Sequence, residues 1–390
     1  MSPPNSYSPS VSPSVSVTEL LKTRFLTYLD SCLRLNGTDE PKAWNGTSWE
    51  NSGGVFDVNH VPSGSKYAIE FKDRVMVAGR SDFPDRLDIS SIASSTSRTV
   101  SWTVGNTFIN FEQEDGGGGI TGLGKVPGYV LIFKKRTLKR YDLATAYPED
   151  MINQGAPSQE AIVTAQGMCF FVNENGAWAT EGGRPKKIST YTVDNIIKSC
   201  SDQNLLNVSS GTDEEHISFS FPSVTMGGET YTNVVLKYNI LQNTWDIRKY
   251  ATFISVFTKY VDNNGSVFTV FGDDDGNVQK LDVGTTDNGT AITYAMETQD
   301  WDFGLRIFNK EINRIGVLTE NISKGTLMWR NSHNPEDWKV VANITEEIQD
   351  IQSIKLRGQF FNFKLIETTT TGPAKLLGFE FPDAAIKVLG

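Results

Sequence analysis

Histidine is scarce in this sequence, which limits the kinds of chemistry it can carry. The 390 residues contain only three histidines, which are far apart and follow no ligand spacing: His60, His216 and His333. Neither H-E-x-x-H nor G-x-S-x-G occurs, so the signatures of a zinc protease and of an α/β-hydrolase are absent. The sequence therefore predicts no catalytic residue and no cofactor.

Cysteine is equally scarce, with three in the chain at Cys32, Cys169 and Cys200. No two of them form a C-x-x-C pair, and an odd number cannot all be paired within one chain. Each lies beside apolar residues, as a small buried side chain does. We therefore expect free, buried thiols and a reducing compartment.

Long apolar runs are also missing. No stretch approaches the length of a membrane span, so we expect no span. The first 18 residues, MSPPNSYSPSVSPSVSVT, are rich in Ser and Pro and carry no charge. They have neither the basic segment nor the apolar segment of a secretory signal. Residues 1–18 are predicted to be a disordered arm.

A basic surface is not expected, because the net charge is −10. Proteins that coat nucleic acid are usually basic, so this balance argues against such a role. It remains compatible with a wall past which DNA moves without adhering, since like charges repel.

Glycine and aromatic residues are abundant, with 34 Gly and 11% aromatics. Short apolar stretches alternate with Asn-Gly, Asp-Gly and Gly-Gly turns, the pattern of β-hairpins. The hairpins recur at intervals close to the length of one propeller blade, about 40 to 50 residues. We therefore predict an all-β chain: a β-propeller of about six blades at 19–285 and a small C-terminal β-sandwich at 286–390. A pair of β-sandwiches is the alternative, and one short helix is predicted near 190–201, capped by Thr192.

The stretch GGGGITGLGK, residues 116–125, nearly spells two phosphate-binding motifs. Gly117, Gly119 and Gly122 fit G-x-G-x-x-G, and Gly119, Gly124 and Lys125 fit G-x-x-x-x-G-K. Both motifs need a helix to follow, and the second needs Ser or Thr after the lysine. Val126 and a strand-like sequence follow instead, which predicts a wide turn in a β protein rather than a nucleotide site.

Two acidic clusters are weak candidates for chemistry. Asp273 and Asp275, in FGDDDGNVQ, imitate the start of a calcium loop, but Val278 and Gly284 replace its Gly and its bidentate Glu. A solvated hairpin turn is the expectation there, with weak calcium binding as the alternative. The second cluster, Glu112, Glu114 and Asp115, is interpreted as a surface loop, although paired acids also occur in glycosidases.

Two basic turns stand out in this acidic chain, Lys134-Lys135-Arg136 and Arg184-Pro185-Lys186-Lys187. Charge runs of this kind are mostly solvated faces. Their contrast with the rest of the chain also makes them the candidate contacts for an acidic partner.

An ordered set of segments resembles the β-propeller structural proteins of tailed-bacteriophage tails and head–tail connectors. The segments are LNGTDEPKAWNGTSW, FKDRVMVAGRSDFPDRLDISS, EDGGGGITGLGKVPGYVLIFKKRTLKRYD, VTAQGMCFFVNENGAWATEGGRPKKIS, VLKYNILQNTWDI, VFGDDDGNVQKLD and ETQDWDFGLRIFNKEINRI. The resemblance covers roughly residues 25–390. Two features depart from the family: many relatives carry an extra domain before the propeller, and the four-Gly run is longer than the pattern.

The resemblance implies a non-enzymatic virion component, assembled in the host cytoplasm. It implies a homo-oligomeric ring, six-fold by expectation, in the neck or tail around the DNA channel, as connector, stopper or nozzle. Portal, adaptor or tail proteins would be its partners. The alternative is a carbohydrate-binding or carbohydrate-cleaving propeller at the host surface, with tryptophans that stack on sugars: Trp44, Trp49, Trp178 and Trp245.

Overall fold

The computed structural model describes residues 22–29, 31–44, 46–50, 61–93, 100–102, 107–111, 118–226, 228–283, 286–287, 289–322, 324–331, 337–369, 375–382 and 386–389. The protein is all-β, with many small antiparallel sheets and two short helices. The chain divides into two compact units, an N-terminal unit of residues 1–279 and a C-terminal unit of residues 280–390. The predicted arm and its Ser/Pro residues lie outside the described residues.

Six small antiparallel sheets follow one another along residues 24–280, and within each sheet the strands pair in chain order. Sheet one contains β1 (Arg24–Tyr28), β2 (Ser31–Leu35), β3 (Lys42–Trp44) and β4 (Trp49–Glu50). Sheet two contains β5 (Tyr67–Phe71), β6 (Arg74–Ala78), β7 (Arg86–Ile89) and β8 (Thr107–Asn110). Sheet three contains β9 (Ile120–Val126), β10 (Tyr129–Lys134), β11 (Leu138–Asp142) and β12 (Tyr147–Ile152). Sheet four contains β13 (Ile162–Ala165), β14 (Met168–Asn173), β15 (Gly176–Thr180) and β16 (Lys186–Lys187). Sheet five contains β17 (Ser209–Thr212), β18 (His216–Met226), β19 (Glu229–Asn239) and β20 (Thr244–Lys249). Sheet six contains β21 (Ile254–Val261), β22 (Val267–Asp273) and β23 (Val278–Lys280).

Tight turns set the register of these meanders. Lys72 and Asp73 join β5 to β6 with φ of 48° and 58°, two consecutive left-handed residues as in a type I′ turn. Tyr67 is therefore paired with Ala78, and Phe71 with Arg74. Lys72 and Asp73 thus fix the register of this hairpin.

Both faces of the inner strands of sheets two and three are buried, because each of these sheets packs against the sheet before it and the sheet after it. In β6, Val75 and Val77 join the core shared with sheet one, whereas Met76 and Ala78 join the core shared with sheet three. The run 130–133 in β10 divides in the same way between sheets two and four. A strand buried on both faces reads as a continuous apolar run, which explains the sequence VLIF at this point.

The first strands of successive sheets also contact one another: β1 with β5, β5 with β9, β9 with β13, β13 with β17, and β17 with β21. Close packing in this row explains part of the glycine-rich stretch. A Cβ atom at Gly122 in β9 would lie 2.5 Å from Cδ1 of Ile162 and 3.1 Å from Cα of Gln159. Gly122 and Gly124 lie within a strand and not at the start of a helix. The prediction that a strand follows the glycine run is therefore confirmed, and Gly122 and Gly124 allow close approach between sheets.

Among the described residues, helical structure comprises α1 (Tyr191–Lys198), α2 (Asp202–Leu206) and a 3-10 turn at Gln159–Ala161. Helix α1 buries Val193, Ile196 and Ile197 in the core of sheets three to five. The helix predicted near 190–201 is confirmed, but its cap is wrong. Thr190 occupies the N-cap position, and Thr192 lies within the first turn. No helix among the described residues is long and apolar enough to cross a membrane.

The C-terminal unit consists of two antiparallel sheets that share one core. One sheet has the order β24 (Thr286–Asp287), β25 (Thr290–Glu297), β30 (Asn362–Thr369), β27 (Gly325–Arg330) and β28 (Lys339–Ile344). The other has the order β29 (Ile348–Gly358), β26 (Asn309–Glu320) and β31 (Lys375–Glu380), with β32 (Ile386–Leu389) also paired to β26. Ile315, Leu327, Phe361 and Phe363 are fully buried in the core of this unit.

Candidate functional site

A polar hollow of about 270 Å³ lies at one end of sheets three and four. Three short connections line it: the β10–β11 turn, the loop after β12, and the β14–β15 turn. The lining residues are Lys135, Arg136, Thr137, Asn153, Gln154, Gly155, Glu174 and Asn175. Two members of the predicted basic turn, Lys135 and Arg136, are therefore part of a concave surface.

Lys134, the first residue of that basic turn, is not available to a partner. It is the last residue of β10 and is fully buried, with Nζ 2.9 Å from Oδ1 of Asp85. The prediction that Lys134 contacts a partner is therefore wrong. A buried ammonium needs a carboxylate beside it, and sheet two supplies that carboxylate.

Side-chain amides hold the floor of the hollow in place. Asn173, which is 1% exposed, donates to Oε1 of Gln154 at 3.1 Å and to the carbonyl of Gly155 at 2.9 Å. Asn175 donates to the same Gln154 oxygen at 3.0 Å. The indole of Trp178 donates to Oδ1 of Asn173 at 3.2 Å. A network that satisfies its own members in this way fixes the shape of the hollow without a ligand.

Gly155 brings the loop after β12 against the β10–β11 turn. A Cβ at this position would overlap with the carbonyl oxygen of Lys134 and lie 2.9 Å from the amide nitrogen of Thr137. Only glycine fits this approach. The amide of the next residue, Ala156, donates to that same Lys134 carbonyl at 3.0 Å, which ties the two connections together.

The charges at the rim are suited to an anionic group. Lys135 and Arg136 are both exposed, and Arg136 has no ion-pair partner among the described residues. Lys135 has only a distant contact, 4.0 Å, with Asp202. Glu174 lies on the opposite rim and limits the net charge. The guanidinium, the ammonium and the fixed amides beside them can all donate hydrogen bonds to a carboxylate side chain of a partner.

The second basic turn lies at the opposite end of sheet four. Arg184 and Lys186 follow the far end of β15, where the backbone of Gly182 accepts from Arg140 at 2.7 Å. Lys187 is held by Asp194 of α1 at 2.6 Å and lies over the ring of Trp178. The two basic turns therefore do not form one surface, and Arg184 and Lys186 belong to a separate exposed patch.

The calcium candidates lie on the β22–β23 turn. The carboxylate of Asp273 is buried and accepts from the backbone and side chain of Asn277, from Thr252 and from Gln279. Asp275 is exposed on the same turn. Asp273 thus organises the turn through protein donors. Among the described residues, no three His, Cys, Asp or Glu side chains come together as metal ligands.

Of the other predicted residues, only some lie in the described part of the chain. His216 is described, and its Nδ1 lies 3.1 Å from Asp213 at the start of β18. The remaining histidines and the acidic cluster lie outside the described residues: His60, His333, Glu112, Glu114 and Asp115.

The four tryptophans divide into two pairs. Trp178 and Trp245 are half-buried against the core, and Trp245 donates to the carbonyl of Ile188 at 3.0 Å. Trp44 and Trp49 pack together with ring centroids 5.6 Å apart, and Trp49 is 41% exposed. Only Trp49 thus presents a large aromatic surface to solvent.

Sequence reasoning did not identify the amide floor of the hollow. Gln154 and Asn173 are uncharged, and nothing in their local sequence distinguishes them from the many other turn amides of the chain. The signal that the sequence does carry is the asparagine-glycine turn NENG at 173–176, which predicts a hairpin but not its neighbours.

No protein-family model matches this chain, and no curated protein matches it. Among solved structures, 66% of the chain is similar to 69% of the computationally designed Ika8 protein, at 11% identity and a TM-score of 0.43. The same share is similar to 33% of the extracellular domain of a putative one-component system from B. thetaiotaomicron, at 10% identity and a TM-score of 0.41. The chain therefore spans about a third of that bacterial structure. Likeness at this level carries no conclusion about function.

Proposed function

We propose that this protein is a non-enzymatic structural subunit of a tailed-phage particle, and that its N-terminal unit is a β-propeller of about six blades. The observation that carries the proposal is the series of six small sheets, each meandering in chain order. The resemblance to phage tail and connector proteins rests on segments in this same part of the chain and beyond it.

The segments that carry the resemblance fall in successive sheets. The stretch 35–49 spans β3, 71–91 spans β6 and β7, and 114–142 spans β9 to β11. The stretch 163–189 spans β14 to β16, and 235–247 reaches β20. The stretch 270–282 spans β23, and 297–315 lies within the C-terminal unit. One segment per sheet is the arrangement expected if each marks one blade.

The packing of the sheets supports a propeller over a pair of sandwiches. A sandwich encloses one core between two inner faces, with the outer faces polar. Here β6 and β10 are buried on both faces, and the row of first strands passes from sheet to sheet. Sheets that pack face to face in series, with their first strands in one row, are the arrangement expected of propeller blades, which supports the proposal.

In the proposed particle, copies of the chain form a homo-oligomeric ring, six-fold by expectation, in the neck or tail. The ring is a connector, stopper or nozzle around the DNA channel, between portal, adaptor or tail proteins. The net charge of −10 suits a channel wall, because repulsion from phosphates lets DNA pass without sequence-specific binding. Lys135 and Arg136 at the polar hollow would receive an acidic segment of a neighbouring subunit.

Electron microscopy of the purified full chain, with the mass of the assembly measured in parallel, tests the ring. We expect a closed ring with an open centre, and antibodies against the chain should label the neck or tail of particles. A chain that remains monomeric at all concentrations and labels no particle contradicts the proposal. A variant lacking residues 2–18 shows whether the arm contributes to assembly.

A charge-removal pair tests the contact at the hollow. Lys135→Ala with Arg136→Ala should weaken assembly, because two donors for an acidic segment are lost. Arg184→Ala with Lys186→Ala removes the same charge at the opposite end of sheet four and serves as the matched control. Equal effects of the two double variants would attribute the result to net charge alone.

A further inference from the structure

A second hollow, of about 550 Å³, lies within the C-terminal unit. It is formed by the chain between β25 and β26 together with Phe381, which follows β31. Its lining combines aromatic rings with polar side chains: Gln299, Asp300, Trp301, Asp302, Phe303 and Arg306. This volume falls within the usual range of small-molecule sites, about 300 to 1,000 Å³.

The aromatic part of this hollow is held rigidly. Trp301 is paired with Phe361 through two backbone hydrogen bonds, of 2.8 and 3.0 Å. Its ring lies 5.7 Å from the rings of both Phe379 and Phe381, in edge-on contacts. Trp301 and Phe303 are half-buried, so part of each ring still faces solvent. Such a platform covers an apolar ligand face at little cost in side-chain entropy.

The polar part is also fixed in place, around the carboxylate of Asp302. Gly304 N–H donates to Oδ1 of Asp302 at 2.8 Å, and Nε of Arg306 donates to Oδ2 at 2.7 Å. These donors hold the pKa of Asp302 below its ordinary value, so the carboxylate is charged at neutral pH. At the end of the same loop, the buried ammonium of Lys310 donates to the carbonyls of Leu305 and Phe308.

The free hydrogen-bonding groups are of mixed type. Oδ1 of Asp300 accepts from Asn362 at 3.2 Å, which leaves its second oxygen as an acceptor. Arg306 bonds Asp302 through Nε, so its terminal nitrogens remain as donors, and its side chain is 81% exposed. Gln299 supplies one donor and one acceptor and has no partner among the described residues.

We propose that this hollow binds one or two units of a neutral saccharide. A sugar ring has an apolar face that fits the exposed parts of Trp301 and Phe303, and hydroxyl groups that both donate and accept. The hollow offers carboxylate, amide and guanidinium partners for those hydroxyls. Arg306 is ion-paired with Asp302, so Asp300 is the one carboxylate of the lining that no cation of the hollow neutralises, and the spermidine competition below distinguishes a sugar from a cation. The proposal is independent of the particle function proposed above.

The test is binding of the full chain to an array of neutral glycans that spans hexoses, N-acetylhexosamines and deoxyhexoses. Hits are then titrated by saturation-transfer NMR. We expect at least one neutral glycan to bind, and Arg306→Ala and Gln299→Ala each to weaken it about tenfold, the usual loss of a hydrogen bond to a charged or fixed group. Glu346→Gln, an exposed change elsewhere in the same unit, should leave binding unchanged.

Three results would overturn the proposal. The first is an array on which no neutral glycan binds. The second is binding that persists unchanged in both hollow variants, which would place the sugar elsewhere. The third is competition between the bound glycan and spermidine, the cationic probe, at equal concentration, which would identify the hollow as a cation site. Arg306 is largely exposed, so its variant should fold normally, and circular dichroism checks this.

Discussion

At the scale of single residues, the ion pair between Lys134 and Asp85 shows that the local sequence around a residue does not determine whether its side chain is buried. In the sequence, Lys134 belongs to a run of three basic residues, which is typical of a surface turn. In the fold it still occupies β10, and its neighbours in that strand, Ile132 and Phe133, are fully buried. Its partner Asp85 comes from another sheet, so no local window contains the information that buries it.

We predict that Lys134→Met destabilises the N-terminal unit by about 3–5 kcal/mol, because it leaves the carboxylate of Asp85 buried without its ammonium. Removing both charges, by Lys134→Met with Asp85→Leu, should restore most of the loss. Urea denaturation followed by tryptophan fluorescence measures both. Lys135→Met is the control, since its side chain is 52% exposed, and it should change stability by less than about 0.5 kcal/mol. A small effect of Lys134→Met would contradict the buried pair.

Asp213 gives the residue-scale prediction for pH. Burial acts to raise its pKa, but hydrogen bonds from Lys237 and from the backbone of His216 outweigh that effect and hold the pKa below its ordinary value. A carboxyl with a depressed pKa contributes stability above its unfolded pKa, about 3.9, and loses it as pH falls through the folded value. The almost fully buried Lys237 depends on this charge.

Asp213→Asn should therefore lower stability near neutral pH by about 1–3 kcal/mol, and the difference from wild type should shrink below about pH 4. Urea denaturation across that range measures the difference. Asp246→Asn removes a carboxylate that is 57% exposed and serves as the control. A difference that stays constant with pH would show that the charge of Asp213 is not the cause.

At the scale of elements, the two helices differ in how they begin. Oγ of Ser201 accepts from the amide of Asn204 at 3.2 Å, which caps α2. Thr190 occupies the equivalent position of α1 but makes no side-chain cap. We predict that Ser201→Ala costs about 1 kcal/mol of stability, whereas Thr190→Ala costs much less, because only the serine satisfies an amide at the helix start. Thermal unfolding of the two variants compares them directly, and equal losses would contradict the assignment.

How much of the fold the sequence predicts depends on where the information lies. Hairpin turns can be predicted because their signal is local, and the Asn-Gly turn at 175–176 joins β14 to β15 as that signal predicts. The sequence indicates a helix near 190–201 but does not distinguish Thr190 from Thr192 as its cap, because both are threonines two residues apart. The hollow at Lys135 was not predicted, since its floor joins three connections that are separate in sequence.

At the scale of the whole molecule, the two units have separate cores. The two units meet at 279/280, slightly before the boundary predicted at 285/286. Phe171 is fully buried in the core of the N-terminal unit, and Ile315 is fully buried in that of the C-terminal unit. Cores that share no residues can unfold independently, and a single two-state transition is then not expected.

We therefore predict two calorimetric transitions for the full chain. Ile315→Ala should lower the midpoint of one transition and Phe171→Ala that of the other, because each leaves a cavity in one core worth about 2–5 kcal/mol. Differential scanning calorimetry of the two variants, with wild type scanned under the same conditions, assigns each transition to a unit. If both variants shift one common transition by similar amounts, the units unfold together, and contacts between them must then contribute to the stability of each.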